Sequence, residues 1–208
     1  MKKLNSIPVS EEMKMLDEAI RGCHLCKLAK GRTKAVPGSG PVENAEVIFV
    51  GEGPGKNEDE EGLPFVGAGG KLLDELLRNA GLDRNQVYVT NIVKCRPPNN
   101  RKPEDDEVQI CTTTYLEKQI ALLRPLLVCT LGATALEYFT GRSKMGEFRG
   151  KLTKTRSGIP LFPTYHPAAI FRNQSYRELL QADLSRIPAV LATLRSMARL
   201  RQTTLSSY

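Results

Sequence analysis

The stretch EVIFVGEGPG, residues 46–55, decides the fold class. Residues 46–50 are a short β-branched and aromatic run that stops at Gly51, the pattern of a buried strand. A tight turn follows, with three glycines around Glu52 and Pro54. Glycine there lets the backbone approach a ligand closely. The turn is not a Walker loop, since no Gly-Lys-Ser/Thr follows, and it is not GxGxxG. Alone, it is equally well a plain strand-to-loop connection.

Outward from this stretch the chain alternates strand-like and helix-like segments. Residues 10–21 carry apolar side chains at helical spacing, with Ser10 as the expected N-cap. Residues 69–80 predict a helix closed by Gly81. A second strand is expected over 87–93 (VYVTNIV), then a long helix over 104–123 with Pro103 before it and acids in its first turn. A third strand, 126–131 (LLVCTL), precedes a helix over 133–139. A shorter fourth strand is expected at 159–162, where Pro160 argues for an edge position or a late start. Residues 176–200 read as helix interrupted at Pro188, with a frayed polar tail over 201–208. Strands alternating with helices imply a parallel sheet covered on both faces, hence an α/β fold. In such sheets ligands bind beyond the carboxyl ends of the strands. The segments 51–55, 91–98, 132–134 and 163–167 are therefore expected to converge.

Composition bounds the rest. The chain has 208 residues, of which 40% are apolar and 25% charged, as in ordinary globular proteins. We expect one domain over 1–208, with its core at about 15–200. No apolar run reaches about 18 residues, so no membrane helix is expected. Met1 to Ser10 has no apolar core of the secretory kind, which places the protein in the cytoplasm with the nucleoid. The net charge of +7 fits a polyanionic partner such as nucleic acid. No coiled-coil heptad or extra apolar stripe is evident, so a monomer is expected.

Several side chains point to chemistry. Phe65 lies in the glycine-rich loop GLPFVGAGG, residues 62–70, and can stack on a planar base if it is not a core ring. Asn91 interrupts an apolar strand end. Its amide offers one acceptor and two donors, for a base edge or for loop backbone. His166, one of two histidines, follows the last strand in TYHPAAIFRN, residues 164–173. It can donate to negative charge on a departing group or be a satisfied structural histidine. Ile170 and Arg172 are candidates for the place where a duplex is pushed open; core packing and a solvated charge are their plainer readings. Cys23 and Cys26 form CxxC, and Cys95 and Cys111 lie downstream. Four thiolates suit zinc or an iron–sulfur cluster equally by ligand count. Cys129, in an apolar strand, reads as core.

Taken together, GEGPG with GLPFVGAGG, TNIVKCRPPNNRKP, CTLGATA and YHPAA resemble the family 4, iron–sulfur uracil-DNA glycosylases over roughly residues 15–175. The resemblance implies a three-layer α/β/α domain with a four-stranded parallel sheet. It implies a [4Fe–4S] cluster on Cys23, Cys26, Cys95 and Cys111, and so decides iron–sulfur over zinc. Glu52 and Gly53 match the loop that touches uracil, Phe65 the stacking ring, Asn91 the base-reading amide and His166 the final catalytic motif. Gly55 stands where the family 1 enzymes carry a bulky Tyr that helps exclude the methyl of thymine. A related class forms a covalent DNA adduct through a histidine in a KRRIH insertion; the corresponding stretch here, CRPPNNRKPEDDE, has none.

The implied function is repair of uracil-containing DNA. The base is flipped out, its N-glycosidic bond is hydrolysed, and free uracil and an abasic site result. Glu52 is the expected water activator and Asp59 the runner-up. The competing readings are a glycosylase for another deaminated base, a non-catalytic iron–sulfur nucleic-acid-binding protein, and an iron–sulfur electron carrier. A replication or repair partner is not readable from the residues.

Overall fold

A computed structural model of the chain describes residues 7–205, with side chains described to residue 200. Its sheet contains β1 (Val47–Gly51), β2 (Tyr88–Asn91), β3 (Leu127–Leu131), β4 (Thr153–Lys154) and β5 (Pro160–Thr164), in the order β2-β1-β3-β5-β4. The first three and β5 are parallel. The expectation of four parallel strands is met, with one addition: β4 pairs antiparallel to β5 through two residues only. Pro160 therefore starts a strand that lies one place in from the edge, not at it. A missing N–H is tolerated at a strand's first residue.

Period-two alternation in buried strands sends successive side chains to opposite faces, and each face grows its own core. Ile48, Val50, Tyr88 and Val128 pack with one set of helices. These are α1 (Val9–Arg21), α4 (Asp105–Cys111), α5 (Glu117–Leu123) and α6 (Ala133–Thr140). Val47, Phe49, Val89, Leu127, Cys129 and Phe162 pack with α3 (Ala68–Asn79), α8 (Tyr176–Leu184) and α9 (Ile187–Leu205). Two short helices, α2 (Lys56–Glu61) and α7 (Met145–Phe148), ride on the loops. The result is the expected three-layer α/β/α sandwich. Cys129 is buried in the second core. No helix among the described residues is long and apolar enough to cross a membrane.

Four boundaries differ from expectation for local reasons. Pro8, not Ser10, caps α1; a proline is well suited there because the first turn lacks partners for its N–H groups. The long helix runs as α4 and α5 joined by a π-helical turn, Thr112–Leu116. The interruption near Pro188 falls just before it, and Pro188 sits inside the first turn of α9. The helix continues to Leu205, past the start of the expected tail, and residues 206–208 lie outside the described residues.

Candidate active site

The parallel register sets the site. Gly51 lies opposite Asn91 in the β1–β2 pair, and Leu131 opposite Thr164 in β3–β5, so four loops leave the sheet at one level. They enclose a cleft of about 640 Å³ lined by Glu52–Gly55, Phe65, Asn91, Thr134, His166 and Arg172, among others. Of the expected pocket residues, Glu52, Gly53, Gly55, Phe65, Asn91 and His166 all come together there.

Gly51 is the floor. A Cβ on it would stand 2.5 Å from Asn91 Oδ1, 2.8 Å from the Phe65 ring and 3.6 Å from His166 Nε2. Those three groups thus converge on a single small space that only a glycine leaves open. Asn91 is 2% exposed, and its Oδ1 is buried with no hydrogen-bond partner. An unpaired buried carbonyl costs about 1–3 kcal/mol, so its place here calls for a ligand donor. The Phe65 and His166 rings are 5.9 Å apart and inclined by 27°. Phe65 adopts φ 56°, the left-handed region. Its carbonyl is pressed against Gly70, where a Cβ would come within 1.8 Å of the oxygen. Such strain persists only where the surroundings impose it.

His166 Nδ1 accepts the backbone N–H of Ala168 at 3.1 Å. In a neutral imidazole that leaves the proton on Nε2, the nitrogen facing the cleft. Burial pushes the His166 pKa down to about 4, and the Glu58 charge opposes the shift only in part. The group is therefore a neutral donor.

The carboxylates divide by environment. Glu52 accepts from Thr134 Oγ1 at 2.5 Å and lines the cleft. Asp59 is buried and takes the Thr33 N–H with both oxygens, at 2.9 and 3.0 Å, away from the cleft lining. Asp59 as an alternative water activator is thereby corrected: its lone pairs serve a loop. Glu58 was not singled out from the sequence. It accepts from the N–H groups of Gly55, Val66 and Gly67, at 3.1, 3.0 and 2.9 Å, binding the two glycine-rich loops together. A side chain on Gly55 would meet it, since a Cβ there stands 2.7 Å from Glu58 Oε2. Its signal was present: Glu at the third position after a glycine cap opens a helix. Gly53 packs against Val93.

The duplex-opening pair needs correction. Ile170 is 1% exposed and packs in the core below, because the residues after His166 form a 3-10 turn, Pro167–Phe171, that turns it inward. Phe171 is the exposed apolar residue, at 57%. Arg172 does line the cleft.

Cys23 and Cys26, after α1, pack against the same core as the buried Cys95 and Cys111. Burial pushes the Cys95 thiol up, with Cys26 and Cys23 adding to the effect and Arg32 opposing it. Burial likewise raises Cys111 to about 12. Arg32 Nη1 donates to Cys95 Sγ at 2.9 Å, and the Lys94 N–H to Cys111 Sγ at 3.3 Å. Among the described residues no three His, Cys, Asp or Glu side chains are gathered for a single metal ion. Four thiols from three chain segments, two of them already met by N–H donors, do fit the ligand set of an iron–sulfur cluster.

Comparison with known proteins agrees in one direction. The family model of the uracil DNA glycosylase superfamily matches residues 37–186. The chain is 45% identical to the type-4 uracil-DNA glycosylase of Sulfurisphaera tokodaii, over 88% of this chain and 86% of that one. It is 44% identical to that of Saccharolobus solfataricus, over 88% of each, and 41% identical to that of Thermotoga maritima, over 85% and 93%. The type-5 uracil-DNA glycosylase of Thermus thermophilus is 33% identical over 64% of this chain and 68% of its own. The cleft at the carboxyl ends of a four-strand parallel core, these motifs and these relatives place the chain in one family: it belongs to the type-4 uracil-DNA glycosylases.

Proposed function

We propose that this protein excises uracil from DNA and leaves an abasic site. The observation that carries the reading is the buried, unpartnered Asn91 Oδ1, set against an aromatic ring and a neutral histidine donor. Uracil offers the matching set: N3–H for Asn91 Oδ1, a π face for Phe65 and O2 for His166 Nε2–H. Cytosine has no N3–H to give.

The nucleotide is flipped into the cleft past Arg172 and Lys56, whose charges suit the flanking phosphates. Phe171, exposed at the rim, takes the wedge role in place of Ile170. As the N-glycosidic bond breaks, the pair of electrons leaves with the base and the sugar gains oxocarbenium character. His166 stabilises the developing negative charge on O2 without first having to be protonated. Glu52, held by Thr134, orients the water that adds to the sugar. Glu58 fills the space above Gly55 and forms the wall against a thymine methyl. A carboxylate pinned by three N–H groups resists both displacement and desolvation by an apolar group.

Cys23, Cys26, Cys95 and Cys111 hold a [4Fe–4S] cluster in this reading. With these ligands a cluster would join the segment after α1 to the loop after β2 and to α4.

The test is a labelled oligonucleotide carrying one uracil, incubated with the protein and then cleaved with alkali. Thymine-, hypoxanthine- and xanthine-containing strands run beside it, with Asn91→Ala as control. Cleavage at uracil, lost in the variant, is expected. Cleavage confined to hypoxanthine or xanthine would reassign the substrate, and none at all with an intact cluster would refute the glycosylase reading.

A further inference from the structure

Between the cleft and the cysteines lies a charge that the reaction above does not use. Lys94 is 1% exposed. Its ammonium donates to Thr90 Oγ1 at 2.5 Å, to the Asn91 carbonyl at 2.8 Å and to Gln119 Oε1 at 2.7 Å. Three donors thus meet three acceptors, all of them neutral. The acceptors are themselves fixed. Thr90 Oγ1 and Gln119 Nε2 both donate to the Pro37 carbonyl, at 2.6 and 3.1 Å, and Gln119 Nε2 also reaches Tyr88 Oη at 3.2 Å. No carboxylate bonds the ammonium.

A buried cation without a bonded counter-ion is expensive, and an apolar side chain would fill the same space at less cost. The lysine's contacts show what it does in return. Its side chain grips the main chain of the residue that reads the base. Its own backbone N–H donates to Cys111 Sγ, and its own carbonyl accepts from Val36 N at 2.7 Å.

We propose that Lys94 is a positioning residue that ties the Asn91 peptide to the cysteine site, so that the cysteine site sets the attitude of the amide in the cleft. With no partner at Oδ1, the Asn91 side chain takes its direction from its packing and from the set of its own backbone. The Lys94 ammonium is the bond that holds that backbone from the side opposite β1. The inference rests on the reading of Asn91 as the base-reading amide.

A double-mutant cycle tests it, on cluster-loaded protein with single-turnover rates on the uracil oligonucleotide. Lys94→Met keeps the length and removes the charge. Misplacing a reacting or reading group by about 1 Å costs roughly 10²-fold, and a loss of that order is expected. Affinity for the uracil strand and the iron-to-protein ratio should stay within about twofold of the parent. In the Asn91→Ala background the same substitution should cost less than about threefold, because a residue that acts through Asn91 has nothing left to position. Losses that multiply, or a Lys94→Met rate within about twofold of the parent, would overturn the proposal. Should Lys94→Met fail to fold, Thr90→Val removes one acceptor and keeps the lysine. A drop of about tenfold is then expected, again absent in Asn91→Ala, and multiplying losses would overturn the proposal equally. A parent that releases no uracil would instead bring down the functional reading itself, a result distinct from an active parent whose losses multiply.

Discussion

The cleft and the cysteine side of the molecule lie a few residues apart on the same loop, yet they are built on opposite terms. In the cleft, hydrogen-bonding capacity is withheld: Asn91 Oδ1 has no partner, and His166 Nε2 faces open space. Left-handed backbone collects there too, at Phe65 and at Asn100, with φ of 56° and 54°. On the cysteine side, capacity is spent. The buried Glu107 takes both Arg101 nitrogens, at 2.7 and 2.8 Å, and the Glu104 N–H. Lys27 reaches Glu104, Asp106 and Glu107 together. One region is arranged for a molecule that arrives; in the other, the charges have already found one another.

That contrast predicts different responses to mutation. Glu52→Ala should give the largest effect on rate, about 10²–10⁴-fold in single-turnover excision with DNA affinity kept. A rate near the parent's would remove Glu52 from the reaction. Asn91→Ala should slow excision by about 10²–10³-fold. Because it deletes an unpaired acceptor, it should leave the melting temperature unchanged or raise it; a clear fall would mean that Oδ1 is satisfied in the free protein. Glu107→Ala should act the other way. Removing the shared partner of a part-exposed arginine and the Glu104 N–H should lower the melting temperature by roughly 2–8 °C.

The smallest effect is in pH. The folded His166 pKa, about 4, lies below the ordinary 6.5, so the native state favours the neutral ring. Stability from this group is complete above pH 6.5 and falls as pH drops toward 4, where the unfolded chain binds a proton that the folded one refuses. Excision should therefore show no acid limb near pH 6.5. Denaturant unfolding at pH 7 and pH 5 should show a smaller acid loss in His166→Asn than in the parent. An acid limb at 6–7 that disappears in this variant would show that the ring titrates normally.

Much of the cleft was legible because its residues break a local pattern: an amide in an apolar strand, three glycines after one, a histidine before a proline. The parallel core was legible for the same reason, from runs that ended in turns. What escaped reading were charged residues whose partners are backbone groups and side chains that only the fold aligns. Glu58, Glu107 and Lys94 look like solvated charges until the fold folds loops or helices over them. Lys94 did carry a sign, a lone cation inside VTNIVKC, but the turn after β2 that folds its ammonium back onto Thr90 and Asn91 has no mark in the sequence. Ile170 and Phe171 were exchanged by a subtler cause. A 3-10 turn has about three residues per turn, and this shift in phase decides which neighbour faces water.

Phase also gives the π-helical turn between α4 and α5 its significance. Cys111 and Gln119 are eight positions apart, which on a regular α-helix at about 100° per residue places them about 80° out of alignment. A π turn absorbs about one residue without advancing the helix, and the offset shrinks to about 20°. Both side chains can then address Lys94 from one side of the helix. Deleting a single residue from Thr112–Leu116 would leave a regular helix with the same offset of about 20°, whereas straightening the turn with every residue kept would rotate everything beyond it by about 100° and turn Gln119 away from the ammonium. The irregular turn works as a shim, and its thickness is one amino acid.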